Sequence, residues 1–346
     1  MKRVLSLFFV LSFVFAGSIP CTAADRPPRD SAKAMILYQP DSDTVLISHD
    51  EDQPMLIAST TKLMTALLAA ESGDVSRTVK IDPACTAVEG SSMYLVAGEE
   101  YTVNELLTGL MLSSGNDAAL ALAIAAAGSE RAFVERMNER AGELGLKNTH
   151  FDNPHGLDSD GQVSTARDLA LLMAAAVKDP AVSAVMGLKT ARIHSLNYVN
   201  HNKLLWSCQG VCAGKTGYTK AAGRCLVSLC RRDGMELICV TLSDKDDWED
   251  HRALYDWGYA NFALYRLNGE TASVSVPVIG RTLSKLTAIP ERERIICLDK
   301  NGTLRTETFS APFVFAPVGC GECAGEVFLW AGDTLLAREK LAFIKP

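Results

Sequence analysis

The sequence is short of positive charge: 34 lysines and arginines stand against 41 aspartates and glutamates, a formal charge of −7. A nucleic-acid partner wants a basic patch or stripe, so that class is excluded. Metal-ligand spacing is wanting as well. Cys320-Gly-Glu-Cys323 and Cys208-Gln-Gly-Val-Cys212 invite a zinc or redox reading. Neither has a second pair or a histidine at ligand spacing beside it, and no strand-to-helix redox motif surrounds Cys320, so no metal and no cofactor are expected. No Lys/Arg-rich amphipathic helix follows the last apolar runs, where the chain reads Phe343-Ile344-Lys345-Pro346.

What is present is ordinary for a globular protein: 48% hydrophobic and 22% charged residues over 346 positions, room for two domains. The start is different. Lys2 and Arg3 precede an apolar run over 4–16, then Gly17-Ser18-Ile19-Pro20-Cys21-Thr22-Ala23-Ala24, ending in the small residues of a signal-peptidase site. Residues 1–24 are expected to be a secretory signal, cut near Ala23 or Ala24. A lipoprotein reading of Cys21 suffers from Pro20, which stands where a small residue is wanted. Without Lys2 and Arg3 the formal charge becomes −9. If Cys21 leaves with the signal, nine of ten cysteines remain, and an odd count in an exported protein leaves at least one thiol unpaired. Cys225, Cys230 and Cys239 lie in strand-like apolar runs and read as core.

Along the chain, the runs at 34–38 and 44–48 flank Gln39-Pro40-Asp41-Ser42-Asp43 as a hairpin. A helix is expected from about Ser59 to Glu71, and short strands and turns over 79–105. Residues 105–128 are apolar for long enough to consider a membrane span. Ser113-Ser114-Gly115-Asn116-Asp117 would be costly in lipid, so two buried helices joined by a polar loop are expected instead. Amphipathic helices follow over 130–145 and 165–177, the second opened by a capping-like sequence at 164–168. Apolar runs at 221–230 and 235–242 read as a hairpin with Lys215-Thr216-Gly217 on an edge strand, and 250–265 as a closing helix. Short β runs fill the rest, giving domains at 25–270 and 271–346.

Three places carry chemistry. Ser59 and Lys62 are three apart, so on a helix both rise on one face. A serine hydroxyl is a poor nucleophile until a neighbour removes its proton. Lys62 can do so only if burial among the apolar residues after it disfavours the ammonium. Ser114 and Asn116 lie between the two buried helices and can project toward that first helix. Lys215 and Gly217 alternate to one strand face, and Gly217, lacking a side chain, would let a substrate backbone approach. His155 in Asn153-Pro154-His155-Gly156 is a turn residue and reads as structural, since Lys62 already fills the role of base.

Ser59-x-x-Lys62, Ser114-Gly-Asn116 and Lys215-Thr-Gly217 follow the order found in penicillin-binding proteins and class A β-lactamases. The sequence resembles the serine D-alanyl-D-alanine carboxypeptidases, the low-molecular-mass penicillin-binding proteins. The likeness extends to the opening hairpin, His155-Gly156-Leu157-Asp158, Leu204-Leu205-Trp206 and residues 214–223. It implies an α/β (α+β) penicillin-binding/β-lactamase-like transpeptidase fold, an antiparallel sheet flanked by helices, with a small C-terminal all-β domain. It also implies roles. Ser59 would attack the carbonyl between the terminal D-alanines of a peptidoglycan stem peptide, and Lys62 would accept its proton. Ser114 would relay a proton to the departing D-alanine, Asn116 would position Lys62 and the substrate, and Lys215 with Thr216 would attract the terminal carboxylate. The N–H groups of Ser59 and Tyr218 would form an oxyanion hole, and β-lactams would acylate Ser59. Tyr218 stands where many relatives have histidine. Many relatives also end in a membrane-anchoring amphipathic helix; none is read here, which puts membrane attachment in doubt. The rivals are a class A-like β-lactamase, with Glu135, Glu139 or Glu143 as candidate deacylation base, and a penicillin-binding sensor that acylates once without turnover.

Overall fold

The computed structural model describes residues 12–13, 26–280 and 285–344. Of the leader expected over 1–24, only Ser12 and Phe13 are described, their backbone pairing with Thr308 and Glu307; the rest lies outside the described residues. The chain divides into two compact units, Arg26–Ala260 and Asn261–Pro346 with the first 25 residues.

In the first unit, β1 (Ala34–Gln39) and β2 (Thr44–His49) form the hairpin. Later come β3 (Val211–Thr219), β4 (Gly223–Arg232) and β5 (Met235–Leu242), the last two joined by a two-residue Asp233-Gly234 turn. They make one sheet in the order β2-β1-β5-β4-β3, antiparallel throughout, with β3 at an edge. β4 is buried from Cys225 to Cys230 and β5 at every position but Glu236, as central strands covered by helices must be.

The helices are α1 (Lys62–Glu71), α2 (Val103–Leu112), α3 (Asn116–Ala127), α4 (Glu130–Glu143) and α5 (Ala166–Ala176). Every residue of α1 up to Ala70 is buried, the mark of a helix enclosed on all sides. α2, α3 and α5 pack against it. α2 begins in a capping box: Glu105 N donates to Thr102 Oγ1 at 3.1 Å and Thr102 N to Glu105 Oε2 at 2.8 Å. α4 turns Phe133, Met137 and Ala141 inward at four-residue spacing. The apolar stretch 105–128 is thus two helices broken at 113–115. No single helix among the described residues is long and apolar enough to cross a membrane.

Two elements differ from the sequence reading. The helix expected from Ser59 opens as a 3-10 turn, Ala58–Thr61. The Thr60 and Thr61 hydroxyls donate back to Ile57 O and Ala58 O at 2.7 and 2.8 Å, competing with the regular ladder. The closing helix α6 spans Asp247–Asn261, and Phe262–Leu267 leaves it as a strand paired with Arg294–Asp299.

The second unit is all-β. Its main sheet runs Leu304–Ser310, Cys323–Ala331, Thr334–Phe343, Lys285–Pro290, Val274–Ile279, Val314–Phe315, around a core that includes Val276, Leu286, Val327, Leu329 and Leu341. Cys320 and Cys323 are exposed here, whereas Cys225, Cys230 and Cys239 are buried in the first unit.

Candidate active site

Ser59 stands in the 3-10 turn directly before α1. Ala58 ahead of it holds φ 47°, a left-handed conformation that costs a residue with a Cβ of the order of 1 kcal/mol or more. One helical turn on, Lys62 is wholly buried. Its Nζ lies 2.9 Å from Ser59 Oγ, 2.7 Å from Asn116 Oδ1 and 2.5 Å from the His155 carbonyl oxygen. Burial pushes its proton affinity well below that of an ordinary lysine, the Lys215 charge acts in the same direction, and Asp117 opposes both. A neutral amine has two N–H bonds and one lone pair. In that neutral form, donation of both N–H bonds to Asn116 Oδ1 and His155 O would leave the lone pair for the Ser59 hydroxyl.

Ser114 and Asn116 come from the α2–α3 junction. Ser114 is 4% exposed and at φ 58°, and its Oγ accepts from Lys215 Nζ at 3.0 Å. Asn116 Nδ2 donates to Glu89 O at 2.6 Å, which turns its Oδ1 toward Lys62. His155, read as a structural turn residue, contributes its backbone carbonyl. Burial and the Lys62 charge hold its ring down at about 4, hence neutral at pH 7.

The third segment is edge strand β3. Lys215 is buried, which lowers it to about 7, and its Nζ also donates to Thr216 O at 2.7 Å. Gly217 is where the strand meets the Ser59 turn: a Cβ built there would stand 3.0 Å from both Ile57 O and Ser59 N. Tyr218 is exposed.

Ser59, Ser114, Thr216, Gly217 and Tyr218 line one cleft of about 420 Å³, with Lys62, Asn116 and Lys215 hydrogen-bonded beneath them. Ser91, His201, Arg224, Asp247 and Trp248 complete its wall, and sequence reasoning missed all five. Arg224 Nε donates to Asp247 Oδ2 at 3.1 Å and a terminal N–H donates to Oδ1. The guanidinium lies 5.4 Å from the Trp248 ring centroid, so it is held from two sides. Hairpin register was the available signal, since it sets Arg224 opposite Tyr218. Glu135, Glu139 and Glu143 are exposed on α4, and none is among the residues lining the cleft. No group of three or more ligating side chains that could hold a metal ion occurs among the described residues.

A sequence profile of the D-alanyl-D-alanine carboxypeptidases matches residues 21–246. The chain is 30% identical over 364 residues to D-alanyl-D-alanine carboxypeptidase DacF of Bacillus subtilis (strain 168), covering 99% of this chain and 94% of the relative. It is 37% identical over 270 residues to DacC of Escherichia coli (strain K12), covering 72% and 68%. Among solved structures, penicillin binding protein 5 from Haemophilus influenzae superimposes with a TM-score of 0.77 at 28% identity, covering 92% of this chain and 98% of that one.

Proposed function

The chain belongs to the D-alanyl-D-alanine carboxypeptidase family of serine hydrolases, and on that premise we propose that it removes the terminal D-alanine of peptidoglycan stem peptides through an acyl-enzyme on Ser59. The observation that carries this reading is the wholly buried Lys62 amine 2.9 Å from Ser59 Oγ. Burial lowers the proton affinity of such an amine, which suits it to take the serine proton, and general-base catalysis of this kind contributes roughly 10²–10⁴-fold.

Ser59 Oγ attacks the carbonyl carbon of the penultimate D-alanine while its proton passes to Lys62. Negative charge then develops on the carbonyl oxygen, and the N–H groups of Ser59 and Tyr218 take it up, a contribution of roughly 3–4 kcal/mol per donor in acyl transfer. Ser114, bonded to Lys215, relays to the departing amine the proton that Lys62 took from Ser59, so that Ser114 ends as a hydroxyl and Lys62 as a free amine. Lys215 and Thr216 receive the terminal carboxylate, with Gly217 allowing the peptide backbone to lie along β3. Water then releases the acyl group. A β-lactam, imitating the D-Ala-D-Ala end, leaves Ser59 acylated. The substrate lies in the cell envelope, and the expected leader, cut near Ala23 or Ala24, delivers the enzyme there.

The test is intact-protein and peptide mass spectrometry after penicillin treatment, with Ser59→Ala as control. One adduct per chain on the peptide holding Ser59, absent in the variant, is expected; an adduct elsewhere refutes the assignment. D-alanine release over many turnovers, with slow cephalosporin hydrolysis, is expected alongside. The reverse ratio would make the protein a β-lactamase, and acylation without turnover a sensor.

A further inference from the structure

Asp117 follows the loop at 114–116 and is 3% exposed, yet the chemistry above does not use it. Its carboxylate accepts from Ser92 Oγ at 2.6 Å, Met93 N at 2.9 Å, Leu95 N at 3.1 Å and Ala118 N at 2.8 Å. An acidic residue in a helix's first turn ordinarily serves that helix's own N–H groups. Three of these four donors belong instead to a segment 22 to 25 residues earlier in the chain.

That segment turns sharply on Asp117. Tyr94 is 74% exposed and at φ 63°, and the N–H groups on either side of it both end on the carboxylate. The same stretch meets Asn116 twice: Glu89 O accepts from Asn116 Nδ2 at 2.6 Å, and Ser91 O from Asn116 N at 2.7 Å. Gly115 permits this assembly, since a Cβ there would stand 2.6 Å from Asp117 Oδ1 and 3.1 Å from Met93 N. The chain of contacts therefore runs from Asp117 to residues 89–95, from these to the Asn116 amide, and from Asn116 Oδ1 to Lys62 Nζ.

We propose that Asp117 is a positioning residue for acylation: it pins residues 92–95, and through them holds the Asn116 amide so that the Lys62 amine stays aimed at Ser59. This rests on the reading of Ser59 and Lys62 as nucleophile and base. The carboxylate does a second thing. The charged or titratable groups acting on Lys62 are Lys215 from β3, His155 from the loop before α5, and Asp117 from α3. His155 is neutral and Lys215 disfavours the ammonium, so Asp117 alone of the three favours it.

The test is the pH profile of acylation by a fluorescent penicillin, with melting curves to establish folding. Asp117→Asn keeps one acceptor oxygen and removes the charge. Its plateau rate is expected to fall about 10- to 100-fold, the scale of a small misplacement of reacting groups. The acidic limb of the profile should also move to lower pH, because Lys62 loses the anion that raises its proton affinity. Asp117→Glu and Ser92→Ala keep the charge and disturb the hold, so both should slow acylation with the limb unmoved. A purely structural residue would lower the melting temperature or plateau without moving the limb in Asp117→Asn. An unmoved limb in that variant, or a moved limb in either of the others, overturns the proposal. Should Asp117→Asn fail to fold, wild-type rates in both other variants overturn it. Wild-type protein run in parallel separates the two readings: absence of an adduct on Ser59 defeats the proposed mechanism, whereas a normal adduct with an unmoved limb defeats only the role of Asp117.

Discussion

Gly217→Ala probes the contact that joins β3, the proposed carboxylate-binding strand, to Ser59, the proposed nucleophile. The added Cβ would meet Ile57 O and Ser59 N at 3.0 Å and Ala58 Cβ at 3.1 Å. Comfortable separations are about 3.5 Å or more, so β3 and the Ser59 turn must part by roughly 0.5 Å. Nothing nearby yields cheaply. Two of the three atoms are backbone, and the third belongs to Ala58, already held at φ 47°. The displacement therefore falls on the distance between the N–H groups of Ser59 and Tyr218, the two arms of the proposed oxyanion hole.

Complete loss of one such donor costs roughly 3–4 kcal/mol. Opening the hole by a fraction of that contact should cost about 1.5–3 kcal/mol, a loss of roughly 10- to 100-fold in acylation rate. Overpacking of this kind also destabilises by about 1–3 kcal/mol, a few degrees in melting temperature for a unit of this size. Stopped-flow acylation by a fluorescent penicillin, D-alanine release and a melting curve read all three effects. An acylation rate within about threefold of wild type, with the melting temperature lowered, would refute control of the chemistry by this contact. No change in either would mean that strand and turn are not in close approach.

Lys62→Met keeps the bulk of a buried side chain and removes its amine. Acylation should fall by roughly 10²–10⁴-fold, while the urea midpoint should hold or rise because folding no longer has to bury an amine that is charged in the unfolded chain; a variant retaining a tenth of the wild-type rate would refute Lys62 as the base. Lys215 supplies a pH prediction. Burial lowers it from 10.5 to about 7, so its charge is present below that pH and lost above it. The KM for a D-Ala-D-Ala peptide should accordingly rise above about pH 7, where binding takes up a proton measurable by calorimetry in buffers of different ionisation heat; a KM flat across that range refutes carboxylate recognition by this charge. The unfolded chain holds this proton up to 10.5 and the folded one only to about 7, so its contribution makes stability rise with pH between those values.

The reactive pair also explains which features were legible in the sequence. Ser59 and Lys62, Ser114 and Asn116, and Lys215 and Gly217 each fall within three residues, so one short stretch of chain carries each set and local pattern suffices to find it. The same holds for the break between α2 and α3 and for the β4–β5 hairpin, where turn residues interrupt apolar runs. Long-range contacts leave no such trace. Asp117 organises residues 92–95, and Asp247 orients Arg224 from 23 positions away, through polar groups that singly look like solvated loop. The left-handed Ala58 is equally silent, because alanine carries no preference for that conformation. Phe262–Leu267 continues the apolar character of α6 and becomes a strand only because Arg294–Asp299 is there to pair with it. Spacing therefore supplies the atoms of the site but not their reactivity. A serine three residues before a lysine on a solvated helix would have an amine charged at neutral pH, unable to accept a proton. Here enclosure within α1's packing and the charge of Lys215, 153 positions later in the chain, both lower the amine's proton affinity, and this is why a Ser-x-x-Lys motif gains meaning only with its two distant companions.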